Sequence, residues 1–315
     1  MDEASRQAPA VSFFEAQPYP EIRHVSIGFF DGVHRGHQEV LRHLLALAPD
    51  PKSCGVLTFE PHPLAVIRPE QAPPRLTTPA QKARLLAAAG PGLVLVVRFD
   101  QRLRESSAND FLEQILRIFT NLQTVVIGQD FRFGRDARGD VANLREFGSR
   151  RGVAVRIVPP LLEDGRRVAS SAIREAIRQR RFEDAERWLG RSYAIIGKVA
   201  PGAGIGRLLG SPTANLSGIT QLLPPEGVYA CRARIPEEFI AVANYGRRPT
   251  FGSGSLPLFE IHLLDFAGDL AGVEMEVADW YFLREEKRFA NVEELRAQIA
   301  ADISETRRHF AETRG

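Results

Sequence analysis

Two hydrophobic rhythms divide the chain. Up to about residue 189, short apolar runs alternate with amphipathic stretches of helical period. The runs Val25–Phe29, Gly55–Phe59, Leu93–Val97, Thr124–Ile127 and Val153–Val158 are almost wholly apolar, as parallel strands covered on both faces are. Between them, Gln38–Ala48, Pro79–Ala89, Ser107–Phe119 and Val141–Arg151 space their apolar residues three and four apart and predict helices. Ser107, with Asp110 three residues on, reads as a helix cap ahead of a face made by Phe111, Ile115, Ile118 and Phe119. Alternation of this kind predicts a doubly wound α/β domain over residues 21–189, after a loose lead-in at 1–20.

Near Trp188–Ser192 the rhythm changes. Tyr193–Val199, Val228–Arg234, Phe239–Asn244, Phe259–Leu264 and Val273–Leu283 are strand-like, and several alternate apolar with polar residues. A last helix is expected from Val292 to Phe310, started by Asn291 and Glu294 and buried along Leu295, Ile299, Ile303 and Phe310. Residues 190–315 therefore predict a mainly β domain, a barrel closed by a helix.

Composition narrows the class without changing that picture. The chain has 315 residues, enough for two cores, and its net charge of +2 is too small for a general nucleic-acid binder. Two cysteines far apart exclude a disulfide framework and fit a reducing compartment. No apolar run approaches the ~18 residues of a membrane span, so a cytoplasmic protein with neither nucleic-acid nor membrane partners is expected.

The candidate chemistry lies where strands of the first half give way to loops. Val25–His37, VSIGFFDGVHRGH, is a strand, a tight polar turn and a helix start, a corner that favours anions through free N–H groups and the helix dipole. It has no P-loop lysine and no dinucleotide fingerprint, so any cations there come from His34, Arg35 or His37. TFEPHP (Thr58–Pro63), IGQDFRFGRDARGD (Ile127–Asp140) and VASSAIR (Val168–Arg174) follow other strands. Taken singly these residues stay ambiguous. Ser170 and Ser171 read as a helix cap or a phosphate contact, Asp130 as a turn cap or an adenosine contact, His62 as a loop former, and Phe131 and Phe133 as core or as pocket wall. In the second half, Ala200–Leu216, APGAGIGRLLGSPTANL, is rich in glycine, and Thr213 and Asn215 are neutral oxygen donors suited to Mg²⁺ with phosphates.

Together the motifs resemble those of a known family. GFFDGVHRGH is similar to the nucleotidylyltransferase signature, and VASSAIR to that superfamily's second motif. TFEPHP and GQDFRFG narrow the resemblance to bacterial bifunctional riboflavin kinase/FAD synthetases. GSPTANL, GVYA, NYGRRPTF, FEIHLLDF and LREEKRF continue it through the second half. The resemblance implies two ATP- and Mg²⁺-dependent reactions, riboflavin to FMN and FMN to FAD, with flavoproteins as acceptors of the product. It implies that His34, His37 and Arg174 stabilise charge during adenylylation. Gly28, Asp31, Gly36, Asp130, Ser170, Ser171, Gly206 and Arg207 would contact ATP, and Phe59, His62, Phe131 and Phe133 the flavin. Thr213 and Asn215 would hold the metal, and Glu260 would be the kinase base, with Asp265 the rival carboxylate. Phe29 stands where many members have Asn, Ala169 where the first Ser of the second motif is usual, Ser171 in place of Thr, and Ala271 in place of a frequent Tyr. The rival readings are a kinase with weakened or lost adenylylation and a flavin-binding regulatory protein without turnover.

Overall fold

The computed structural model describes residues 10–200, 213–246 and 258–312. They form two compact units, with the break between Ser170 and Ser171. That break is earlier than the expected one at 189/190.

The strands of the first unit are β1 (Val11–Ser12), β2 (His24–Ile27), β3 (Cys54–Glu60), β4 (Leu93–Arg98), β5 (Thr124–Gly128) and β6 (Ala154–Val158). They form one sheet in the order β1-β4-β3-β2-β5-β6, with every neighbouring pair parallel. The helices are α1 (Arg35–Leu45), α2 (Pro63–Ile67), α3 (Pro79–Ala88), α4 (Gln101–Glu105), α5 (Ala108–Ile118) and α6 (Val141–Arg151). Strand alternation builds two cores. Val25, Ile27, Leu57, Val125 and Ile127 meet α5 and α6 through Phe111, Ile115, Ile118, Leu144 and Phe147. Val56, Val126 and Val158 meet α1 and α3 through Val40, Leu41, Leu44 and Leu86. Helices thus cover both faces, as the apolar runs required.

Two expectations change here. The part of the lead-in that is described is packed, not loose. Val11 lies beside Val97 in the sheet, the Phe13 ring stacks on Phe111 at 5.1 Å, and Tyr19 N–H donates to the Ile118 carbonyl at 2.7 Å. The first helix begins at Arg35 instead of Gln38, because the His34 side chain caps it: its Nδ1 accepts from the His37 N–H at 3.3 Å. The Ser107–Asp110 cap forms as the sequence predicts, each side chain bonding the other's backbone N–H.

A short hairpin, β7 (Leu162–Glu163) and β8 (Arg166–Arg167), turns on Asp164 and Gly165, both at positive φ, which suits an Asp-Gly pair. The helices α7 (Ser170–Arg178) and α8 (Phe182–Leu189) follow. From Ser171 onward this segment belongs to the second unit, where the Phe182 ring lies 5.9 Å from Tyr229 and 6.3 Å from Trp280. Arg180 fastens it further. Its guanidinium stacks on Phe282 at 4.0 Å and pairs with Glu285 at 2.7 Å.

The remaining strands are β9 (Ile195–Ala200), β10 (Ala214–Ser217), β11 (Gly227–Arg234), β12 (Glu238–Gly246), β13 (Leu258–Leu263) and β14 (Glu274–Arg284). They close a barrel in the order β10-β13-β12-β11-β14-β9, antiparallel throughout. The sequence pattern predicted five of these strands. It missed β10, four residues long and hidden at the end of the Gly- and Pro-rich stretch.

The C-terminal helix spans Val292–Glu312, and Asn291 Oδ1 accepts from the Glu294 N–H at 2.8 Å. Its buried stripe is Asp302, Thr306 and Phe310, while Leu295, Ile299 and Ile303 are only half-buried. Both sets lie on one face of the helix, where Asp302 also answers Arg284 of β14, with Nε–Oδ1 3.0 Å and Nη2–Oδ2 2.7 Å. Both partners are largely covered, so removing one strands the other. Asp302→Ala should therefore cost about 3 kcal/mol, read as a loss of stability in urea unfolding.

Candidate active sites

In the first unit the sheet order reverses between β2 and β5. Crossovers leave that point in opposite directions and open a crevice beyond the carboxyl ends of the strands. A cleft of about 400 Å³ lies there. Gly28, His34, Gly36, His37, Asp130, Phe131 and Ser170 all line it, although they come from loops far apart in sequence.

His34 and His37 sit at the N-terminus of α1 with their rings stacked, 3.6 Å apart and 18° from parallel. Because His34 Nδ1 accepts the His37 N–H, its ring proton sits on Nε2. Gly36 is required by closeness: a Cβ there would stand 3.2 Å from the His34 ring and 3.3 Å from the Val168 carbonyl. The Ser170 hydroxyl donates to the Asp31 carbonyl at 2.9 Å, which ties the start of α7 to the turn after β2. Its oxygen keeps a lone pair for a ligand donor.

Other expected residues are placed differently. Asp31 accepts from Leu76 N–H at 3.1 Å and from Thr77 N–H at 3.3 Å, so its carboxylate pins a neighbouring loop. It lines a separate hollow of about 20 Å³, with Phe59, His62, Glu60 and Lys82. In that hollow, the Lys82 ammonium lies 2.7 Å from Glu60, and burial lowers its pKa. Phe133 is core: it is 6% exposed, with its ring 5.3 Å from Phe111, and it lines neither space. Ser171 is exposed on α7, and Arg174, one turn after Ser170, is buried. Asp130 forms an ion pair with Arg167. Arg167 and Arg132 both line the cleft and were not among the site residues expected from the sequence. The signal was their position next to VASSAIR and inside GQDFRFG.

In the second unit the strand register sets out the chemistry. Glu260 on β13 stands opposite Asn215 on β10 and, on its other side, opposite Asn244 on β12. Cross-strand partners share a face, so the three side chains form one polar row. Phe259, Ile261 and Leu263 alternate with Glu260 and are buried, which leaves the row on the other face of the sheet. The Oδ1 atoms of Asn215 and Asn244 are buried, and no donor among the described residues reaches them. Asn244 is a residue that sequence reasoning passed over. An Asn in the middle of an apolar strand, where Asn is disfavoured, was the available signal. Asp265, the rival to Glu260, is exposed and paired with Arg307 at 2.7 Å. Thr213 is exposed just before β10, while Gly206 and Arg207 lie outside the described residues.

Comparison with known proteins joins the two sites. A family model described as FAD synthetase matches residues 16–172, and one described as riboflavin kinase matches residues 189–310. A bifunctional riboflavin kinase/FMN adenylyltransferase from Pseudomonas fluorescens is 41% identical over 285 residues, 90% of this chain and 91% of its own. The chain belongs to this bifunctional family. The family's member in Escherichia coli (strain K12) is 38% identical over 293 residues, 92% of this chain and 93% of its own. A crystal structure described as a macrolide-efflux protein from Streptococcus pneumoniae has a TM-score of 0.79 and 28% identity, over 93% of this chain and 96% of its own. Efflux is said of that protein alone. Here no described helix is long and apolar enough to cross a membrane.

Against the family pattern, the two departures in the first unit both fall on the cleft lining. Ala169 sits beside Ser170, and Phe29 is shared between the cleft and the small hollow. The Phe29 ring packs at 5.3 Å from Phe59 and 5.5 Å from His62. The structural work of Asp31 has a measurable consequence. Asp31→Ala leaves two backbone N–H groups without their acceptor and should cost about 1–3 kcal/mol of stability in urea unfolding. A residue that served only as a nucleotide contact would leave that stability unchanged.

Proposed function

We propose that the chain carries out two consecutive ATP-dependent steps, riboflavin to FMN and FMN to FAD, each at its own site. The observation that carries this reading is that one unit holds a switch-point cleft with helix-start donors and the other a polar row centred on the carboxylate of Glu260. Each answers the chemistry of one step.

Adenylylation joins an FMN phosphate oxygen to the α-phosphorus of ATP and breaks the bond to pyrophosphate. The attacking phosphate is already ionised at neutral pH, so the step needs alignment and charge stabilisation more than a base. His34 and His37 supply N–H donors at the dipole end of α1, and Gly28, Gly36 and Ser170 let the backbone approach the phosphates. Asp130 and Phe131 lie across the cleft, toward adenosine or flavin. Arg174 is assigned a clamp on the leaving phosphates on the strength of its motif. Asp31 acts indirectly, through the loop it holds, and Phe59 and His62 form the aromatic side of the neighbouring hollow.

Phosphorylation of riboflavin differs because its primary hydroxyl is not ionised. Glu260 accepts the hydroxyl proton as the oxygen attacks the γ-phosphorus of ATP and ADP leaves. Thr213 and Asn215 are oxygen donors of the kind Mg²⁺ takes, and the buried Asn215 Oδ1, without a partner among the described residues, fits a cation. When bound, Mg²⁺ would neutralise phosphate charge there. The two free cysteines, Cys54 and Cys231, are buried, in keeping with work in the cytoplasm.

A product time course from riboflavin, ATP and Mg²⁺ tests the whole reading: FMN should appear first and FAD second. Absence of both products, with oxidised and with reduced flavin, rejects it. The division of labour is separable by substitution. Glu260→Gln should slow FMN formation by about 10²–10⁴-fold and spare the conversion of FMN to FAD. His37→Ala should do the opposite, slowing FAD formation by about 10²–10³-fold. Equal damage to both steps by either change would reject the two-site assignment.

A further inference from the structure

We infer that Asn244 binds the acceptor substrate of the kinase step, its Oδ1 taking a hydrogen bond from a hydroxyl of the substrate's polyol chain. The inference rests on the proposed kinase reading and adds to it a residue with no role so far. Glu260 has an asparagine neighbour on each side, Asn215 through β10 and Asn244 through β12. Both Oδ1 atoms are buried without a donor among the described residues. A carbonyl oxygen buried in that state destabilises the fold, so a row of acceptors is held ready for something that donates.

The order along the row assigns the two ends. Phosphoryl transfer needs the phosphate donor and the attacking alcohol on opposite sides of the reacting phosphorus, with the base beside the alcohol. Asn215 lies two residues after Thr213, on the side given to nucleotide and metal. Asn244 is then on the alcohol's side of Glu260. The next position in the row is Val228, opposite Asn244 on β11 and only 4% exposed, so the polar surface ends there. A flavin carrying a ribityl chain offers several hydroxyl donors at that end. An apolar flavin without the chain offers none.

The test uses the full-length protein with Asn244→Val, whose β-branched side chain suits a strand. Asn244→Ser, which keeps an oxygen, serves as the milder variant should Val disturb folding. Loss of one acceptor should raise the KM for riboflavin about tenfold and leave the KM for ATP within about twofold. Ser should fall between Val and the wild type. Binding gives an activity-independent readout: the wild type should bind riboflavin more tightly than lumiflavin, which lacks the ribityl chain, and Val should narrow that gap. The ligand-free Val variant should also melt about 2 °C higher, since it removes an unsatisfied oxygen. A raised KM for ATP with riboflavin unaffected would move Asn244 to the nucleotide side and overturn the inference. So would a lower melting temperature in both variants with an unchanged riboflavin–lumiflavin gap, the mark of a structural residue. If the wild type formed no FMN, the kinase reading would fail, and the binding and melting comparisons would still decide what Asn244 does.

Discussion

A β-strand sends successive side chains to opposite faces, and the number of those faces that are covered decides where chemistry can sit in each unit. In the first unit helices cover both faces, so Val25 and Ile27 serve one core while Val56 and Val126 serve the other. The strands there have no face left for a ligand. Function is pushed to the loops at the carboxyl edge, and the cleft opens where the strand order reverses between β2 and β5. In the barrel one set of alternate positions fills the interior, as Phe259, Ile261 and Leu263 do, and the other set is open to use. The polar row accordingly lies on the strands themselves, at Asn215, Glu260 and Asn244.

The same constraint explains what could be read in advance. Strands buried on both faces leave an apolar signature, so the four central strands of the first sheet were legible, as were the edge strand β6 and the switch from helical to strand period near Trp188. The motifs gathered at the cleft were legible because each follows such a strand. What escaped depended on pairing between distant segments. β10 is four residues long and exists because Asn215 finds Glu260 on one side and Ala200 on the other. β1 is shorter still and is defined by its pairing to β4. No local pattern carries either strand. In the C-terminal helix the apolar stripe Leu295, Ile299, Ile303 and Phe310 marks the face that also carries Asp302, whose ion pair with Arg284 no local pattern announces.

Within the site, residue type was a better guide to location than to task. Asp31 and His34 lie next to the expected corner, and both also act as scaffold, one pinning the loop at Leu76–Thr77 and the other capping α1. A short polar side chain at a turn satisfies backbone groups first, and sequence alone does not separate that role from ligand contact. Phe133 illustrates the apolar version. Its neighbour Phe131 faces the cleft, whereas Phe133, two residues on, is buried against Phe111.

The two units also differ in how their polar groups are prepared. At the cleft several polar groups are tied in. The Ser170 hydroxyl is bonded to Asp31, the Asp130 carboxylate to Arg167, and the His34 ring to the backbone of His37. Donors held this way need little reorganisation when charge develops on a phosphate, which suits a step whose nucleophile is already ionised. On the barrel, Asn215 and Asn244 keep buried oxygens on either side of the carboxylate, without donors among the described residues. That arrangement lowers stability before substrate arrives and is relieved by ligands that bring donors or a cation. A neutral hydroxyl must lose its proton as it attacks, so under the proposed kinase reading an acceptor-rich row would favour an alcohol that brings donors and would set its oxygen toward Glu260.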